Sequence, residues 1–153
     1  MEAIIKHVLF VCTGNTCRSP MAEALFRAKI DNNIEVQSAG IHAIAGMPAS
    51  DGTMEVLNEK NITLEHESKP LTEDLVNWAD IILTMTKSHH EMVVHTYPQA
   101  ADKIFTLKEF AVEAEKDMGD ILDPIGGTTE TYRATAEEMD QLLEAVLKKI
   151  KNM

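Results

Sequence analysis

Cysteine is scarce: the chain has two, Cys12 and Cys17, among 153 residues. Two thiols so close together cannot frame a disulfide-stapled fold, and no histidine follows them at zinc-finger spacing. Proline is sparse too, at five residues, while hydrophobic residues make up 44%, so the chain is neither disordered nor repetitive. Long apolar runs are missing: the one around residue 8 is soon interrupted by Arg18, and nothing resembles a signal peptide or a membrane span. Basic side chains are outnumbered, 14 against 25 acidic ones, for a formal charge of -11. A surface this acidic repels nucleic-acid backbone and anionic lipid. The expectation is a cytoplasmic monomer without nucleic-acid or membrane partners, in one domain over residues 1–153. A reactive thiol with a single companion suits a reducing compartment.

What the chain does have is a loop. An apolar strand over residues 7–11 runs into Cys12, a polar turn follows, and Arg18 opens a helix with Pro20 in its first turn. The turn Cys12-Thr13-Gly14-Asn15-Thr16-Cys17-Arg18-Ser19 therefore ends on a helix N-terminus, whose free N–H groups favour an anion. Gly14 is expected to take a backbone conformation closed to other residues, and Arg18 to fork two donors onto phosphate oxygens. The same positive potential would hold Cys12 as a thiolate, a nucleophile aimed at a bound phosphoryl group. Ser19 can donate a hydroxyl to that sulfur, and Asn15 can tie the loop through its side-chain amide. Taken alone, a cysteine at a strand end is usually a small hydrophobe; it is the surrounding residues that favour the reactive reading. The loop has neither the lysine of a Walker loop nor a dinucleotide glycine pattern. No metal or cofactor is required, because Arg18 and the amides supply the charge stabilisation a cation would give. The adjacent His89 and His90 face apart on a helix, and His95 lacks a hydrolase zinc context.

Along the chain, a helix over residues 21–30 carries Ala22, Leu25, Phe26 and Ile30 on one face. Residues 34–38 alternate as a second strand, and a loop of small residues covers 41–49. His42 can border the pocket from there, although a plain loop role fits it as well. Ser50 caps the next helix and Thr72 a brief one, with Leu71 stapled onto Val76. Residues 80–85 make a third strand whose apolar run implies cover on both faces. A helix from 86 ends near Pro98, 104–107 is a fourth strand, and 108–123 is acidic and irregular, with helical turns around 110–116. The last helix is marked by Tyr132, Ala136, Met139, Leu143, Leu147 and Ile150. Strands alternating with helices give an α/β fold with a parallel sheet and helices on both faces, where ligands bind beyond the strands' C-terminal ends. Cys12 stands there.

The segment Val11-Cys12-Thr13-Gly14-Asn15-Thr16-Cys17-Arg18-Ser19-Pro20 resembles the active-site loop of the low-molecular-weight protein tyrosine phosphatases. Ser38-Ala39-Gly40 after the second strand, the third strand and Asp123-Pro124 extend the resemblance over essentially the whole chain. It implies a three-layer fold with sheet order 2-1-3-4, phosphorylated protein substrates, and Asp123 as general acid and then base. Asp120 is the nearest competitor for that role; its other reading is loop solvation or capping. Thr16 and the run Asp123-Pro124-Ile125-Gly126-Gly127-Thr128 look most like the bacterial protein arginine phosphatase branch. A phosphorylated guanidinium brings N–H donors that need acceptors, which the Thr16 hydroxyl can offer, whereas phosphotyrosine wants an aromatic or aliphatic slot. The tyrosine phosphatase reading stays open beside it. Cys17 has two readings, a packed core residue or a protective disulfide partner for Cys12.

Overall fold

A computed structural model of the chain describes residues 5–31, 33–112 and 120–152. Four parallel strands, β1 (His7–Cys12), β2 (Glu35–Gly40), β3 (Ile81–Thr84) and β4 (Ile104–Thr106), form one sheet in the order β2-β1-β3-β4. The pairing register sets Cys12 opposite Gly40, Val11 opposite Thr84 and Thr84 opposite Thr106. All four strands thus end along one rim of the sheet, with Cys12 in its middle.

Strand alternation divides the core. Val8 and Phe10 join one apolar cluster, with Leu25 and Phe26 of α1 (Arg18–Arg27), Val56 of α2 (Asp51–Glu59) and Met139 and Leu143 of α6 (Thr129–Lys151). Leu9 and Val11 join a second, with Val76 of α3 (Glu73–Trp78) and Val93 of α4 (Lys87–Thr96). The period of two points successive side chains to opposite faces, and the uninterrupted apolar run is required because helices cover both. Ser50 and Thr72 cap their helices as expected, Ser50 accepting from Thr53 N–H at the start of α2 and Thr72 from Leu75 N–H at α3, and Thr86 caps α4 in the same way by accepting from His89 N–H.

Three boundaries differ from the sequence reading. α1 stops at Arg27 rather than residue 30, where the Arg27 guanidinium reaches the Val36 carbonyl and draws the chain into β2. Residues 98–103 form a 3-10 turn opened by Pro98. Leu107 starts α5 (Leu107–Val112) instead of ending a strand: Glu109 N–H donates to Thr106 Oγ1, and Thr106 N–H to Glu109 Oε1. That reciprocal pair is a capping box, visible in Thr106-Leu107-Lys108-Glu109 and overlooked there. The remainder of the helical turns expected over 110–116 lies outside the described residues.

Candidate active site

The loop from β1 to α1 is held by its carbonyls. Cys12 O accepts from Ile41 N–H and Thr13 O from His42 N–H, both at 2.9 Å. Asn15 O meets His66 Nε2 at 2.7 Å, Thr16 O accepts from Ser50 N–H at 2.8 Å, and Cys17 O accepts from Thr53 Oγ1 at 3.3 Å. By contrast, none of the amides from Thr13 to Arg18 donates to a protein acceptor among the described residues. α1 also begins without a side-chain cap. Loop amides and orphan helix N–H groups together make a nest for an anion.

Asn15 shapes the nest. It takes φ 58°, in the left-handed region that asparagine tolerates better than most residues. Gly14, expected to supply that freedom, does not have a positive φ, and a Cβ there would stand 3.8 Å from Thr16 Oγ1, an ordinary contact. The fully buried Asn15 amide donates to Ser19 Oγ at 2.8 Å and Ser38 Oγ at 2.9 Å, while its Oδ1 accepts from Lys69 N–H at 3.0 Å. Ser38 passes its own hydrogen to Glu23 Oε1 at 2.5 Å. With its oxygen accepting from Asn15, Ser19 has its hydrogen left for the Cys12 sulfur, 2.8 Å away. The loop thus aims a hydroxyl donor of its own at the sulfur.

Arg18 is buried, and its guanidinium reaches the loop that carries Ile121 and Asp123. Nη1 donates to Ile121 O at 2.9 Å and Nη2 to Asp123 Oδ2 at 3.5 Å, while Asp123 Oδ1 accepts from Ile125 N–H at 3.1 Å. The Asp123 side chain is 43% exposed, so this long ion pair is screened by water and can yield to a phosphoryl group. Asp120 stands apart from it: Oδ1 accepts from Lys87 N–H at 2.8 Å, which makes it a brace for the start of α4.

Cys12, Thr13, Gly14, Thr16, Cys17, Arg18, Asp123 and Ile125 enclose a cavity of about 180 Å³. A larger depression of about 380 Å³, lined by Arg27 and Glu35 among others, lies away from any thiol, so chemistry rather than size marks the site. Cys17 is buried, with Sγ 3.3 Å from Ser50 Oγ and 3.6 Å from Tyr132 OH, and both thiols are free. Burial pushes the Tyr132 phenol above its ordinary range. His42 lines a separate groove with Met92 and Tyr97, not this cavity.

Sequence reading overlooked the braces Ser38, Glu23, His66 and Lys69 as parts of the site, and assigned His89 no part in it. His89 is 6% exposed, and its Nε2 lies 2.8 Å from Thr13 Oγ1. Burial first, and then the nearby Arg18 charge, lower its pKa to about 4, against the opposing pull of Asp120 and Asp123. Nothing local in the sequence signals these partners, which stand from 15 to 76 positions away from the residues they meet.

A strand-end sulfur in an amide nest, with a buried guanidinium beside it on a parallel α/β sheet, defines a cysteine-dependent phosphatase. The family Low molecular weight phosphotyrosine protein phosphatase matches residues 7–153, and the chain belongs to it. A protein-arginine-phosphatase of Bacillus subtilis (strain 168) is 44% identical over 147 residues, covering 94% of this chain and 96% of its own. The low molecular weight protein-tyrosine-phosphatase PtpB of Staphylococcus haemolyticus (strain JCSC1435) is 38% identical over 136 residues, 89% of this chain and 94% of its own. Among solved structures, the YwlE arginine phosphatase from Geobacillus stearothermophilus superimposes with a TM-score of 0.92 at 44% identity, covering 96% of this chain and 94% of the other. No helix among the described residues is long and apolar enough to cross a membrane.

Proposed function

We propose that the chain is a protein arginine phosphatase that hydrolyses phosphoarginine through a cysteinyl-phosphate on Cys12. The observation that carries this reading is the orientation of the loop: five carbonyls engaged in outward bonds, and the amides from Thr13 to Arg18, around the thiol, without acceptors among the described residues. The amides, Arg18 and the rest of the loop, Thr13, Gly14, Asn15, Thr16, Cys17 and Ser19, bind the phosphoryl oxygens or hold that binding shape. The Cys12 thiolate attacks phosphorus, the phosphorus–nitrogen bond breaks, and protonated Asp123 gives its proton to the departing guanidine nitrogen. Water then attacks the phosphocysteine, Asp123 takes a proton from it, and the sulfur leaves as thiolate while Ser19 holds it.

Substrate choice follows from the walls. No aromatic ring lines the cavity among the described residues; Thr16 contributes a hydroxyl, 4.0 Å from Cys17 Sγ, and Ile125 an aliphatic side chain. A buried guanidinium needs acceptors for its N–H groups, and the names of the arginine phosphatase relatives support the same choice. The reading includes phosphorylated proteins as substrates, a cytoplasmic location and a monomeric state. The second reading, phosphotyrosine, has the family and the PtpB relative in its favour. The test compares kcat/KM on matched phosphoarginine and phosphotyrosine peptides with one preparation. Preference for phosphoarginine that shifts toward phosphotyrosine in Thr16→Ile supports the assignment; an unchanged ratio removes Thr16 from specificity, and a tyrosine preference in the unaltered protein overturns the arginine reading. Absence of phosphate release from either peptide would mark a phosphoprotein-binding module instead.

A further inference from the structure

The first turn of α4 touches both halves of the site. On one side Lys87 N–H donates to Asp120 Oδ1 at 2.8 Å, and Met85 O, just before the turn, accepts from Ile121 N–H at 2.9 Å. Two successive residues of the acid loop are thereby fixed three and two positions ahead of Asp123. On the other side His89 Nε2 meets Thr13 Oγ1 at 2.8 Å, next in sequence to the nucleophile. His89 cannot move away cheaply: its backbone N–H is held by the Thr86 cap at 3.0 Å, and its residue is 6% exposed. Thr13 itself is exposed and lines the cavity, so without a partner its hydroxyl would be free to turn toward bulk water or the bound group. Arg18 closes the third side by donating to Ile121 O at 2.9 Å.

From this geometry we infer that His89 is a positioning residue of the phosphatase site: through Thr13 it registers the phosphate loop against the helix turn that also holds the acid loop. The spacing between the Cys12 sulfur and the Asp123 carboxyl is then set by one rigid element rather than by two independent loops. His89 does not line the cavity, and it contributes through Thr13 alone. Burial and Arg18 keep the ring neutral at neutral pH, so it adds no charge that would compete with the guanidinium for phosphate. Its Nδ1 is buried and has no hydrogen-bond partner among the described residues. An unpaired buried nitrogen carries a cost in stability, which marks the position as one where stability was not the deciding requirement.

The inference rests on the phosphatase reading but not on the choice between phosphoarginine and phosphotyrosine. The experiment therefore uses an aryl phosphate as well as the phosphoarginine peptide, and measures kcat, KM and melting temperature for His89→Ala, His89→Gln, Thr13→Val and the His89→Ala/Thr13→Val double variant. Misregistering the loop by a fraction of an ångström is expected to lower kcat about tenfold or more on both substrates, with KM changed less than kcat. The double variant should be no slower than the slower single variant, because both remove one interaction. His89→Gln, which keeps a side-chain amide toward Thr13, should recover kcat to within about threefold of the unaltered protein. Multiplicative losses in the double variant would overturn the inference, as would His89→Ala with normal kcat and a lower melting temperature. Thr13→Val, at an exposed position, keeps the test open if His89→Ala fails to fold: normal kcat in that variant would refute the coupling. If the unaltered protein releases no phosphate, the phosphatase reading fails rather than this one.

Discussion

Gly40 ends β2 beside the phosphate loop, and a single added methyl group there should cost catalysis as well as folding. A Cβ on Gly40 would lie 2.6 Å from Thr13 O, 2.8 Å from Asn15 N and 2.9 Å from Ala43 Cβ. Two of these neighbours are loop backbone, with no flexible side chain to swing aside. Relief to ordinary contact requires a shift of roughly 0.8 Å at Thr13 and 0.6 Å at Asn15. Overpacking of this kind costs about 1–3 kcal/mol, a drop of roughly 2–12 °C in melting temperature for a domain of this size. Because the displaced atoms belong to the anion nest, Gly40→Ala should also lower kcat/KM about 10- to 100-fold and weaken inhibition by inorganic phosphate. Gly46→Ala is the control: its φ is +87° but no atom lies within 4 Å of the added carbon. That variant should lose about 1–2 kcal/mol from the left-handed conformation and keep kcat/KM within about threefold. Gly40→Ala with normal turnover and normal phosphate inhibition would refute the claim that β2 shapes the loop by close contact.

Cys12→Ser should bind inorganic phosphate and release none from substrate, checked by calorimetry and single-turnover assay; normal hydrolysis would dismiss the covalent route. Asp123→Asn should lower kcat by about 10²- to 10⁴-fold, whereas Asp120→Asn, at the brace of α4, should lose at most about 1 kcal/mol of stability and leave turnover near normal; the opposite pattern would exchange their roles. His89 has its pKa lowered in the fold, so it binds more protons when unfolded, and its contribution is complete above about pH 6.5 and fades as pH falls toward 4. The loss amounts to about 3 kcal/mol at most. Denaturant unfolding between pH 7 and pH 4 should show a shallower decline in His89→Gln than in the unaltered protein, and parallel curves would reject the assignment.

The local chemistry was written in the chain. Cys12, Ser19 and the start of α1 lie within eight residues, a distance at which strand periodicity, a helix N-terminus and hydroxyl-to-sulfur geometry are set by neighbours. The caps at Ser50 and Thr72 and the apolar stripe of α6 were equally legible, because each depends on residues three or four apart. The sequence misassigned the left-handed residue: glycine is the cheapest choice for that conformation, but the amide bonds to Ser19 and Ser38 place Asn15 there instead.

The proline after Asp123 and the family resemblance already set it apart from Asp120, but their contacts came from the tertiary structure: Asp120 meets Lys87 N–H and Asp123 meets Arg18, partners 33 and 105 positions away. The tertiary structure also chose His66 and His89 from six histidines as supports of the loop. A hydrogen bond across such separations depends on where the sheet brings two segments together, and a pattern of neighbouring residues cannot encode that. The sequence by itself therefore picked out the thiol and the loop it sits in, while only the fold determined what holds that loop still.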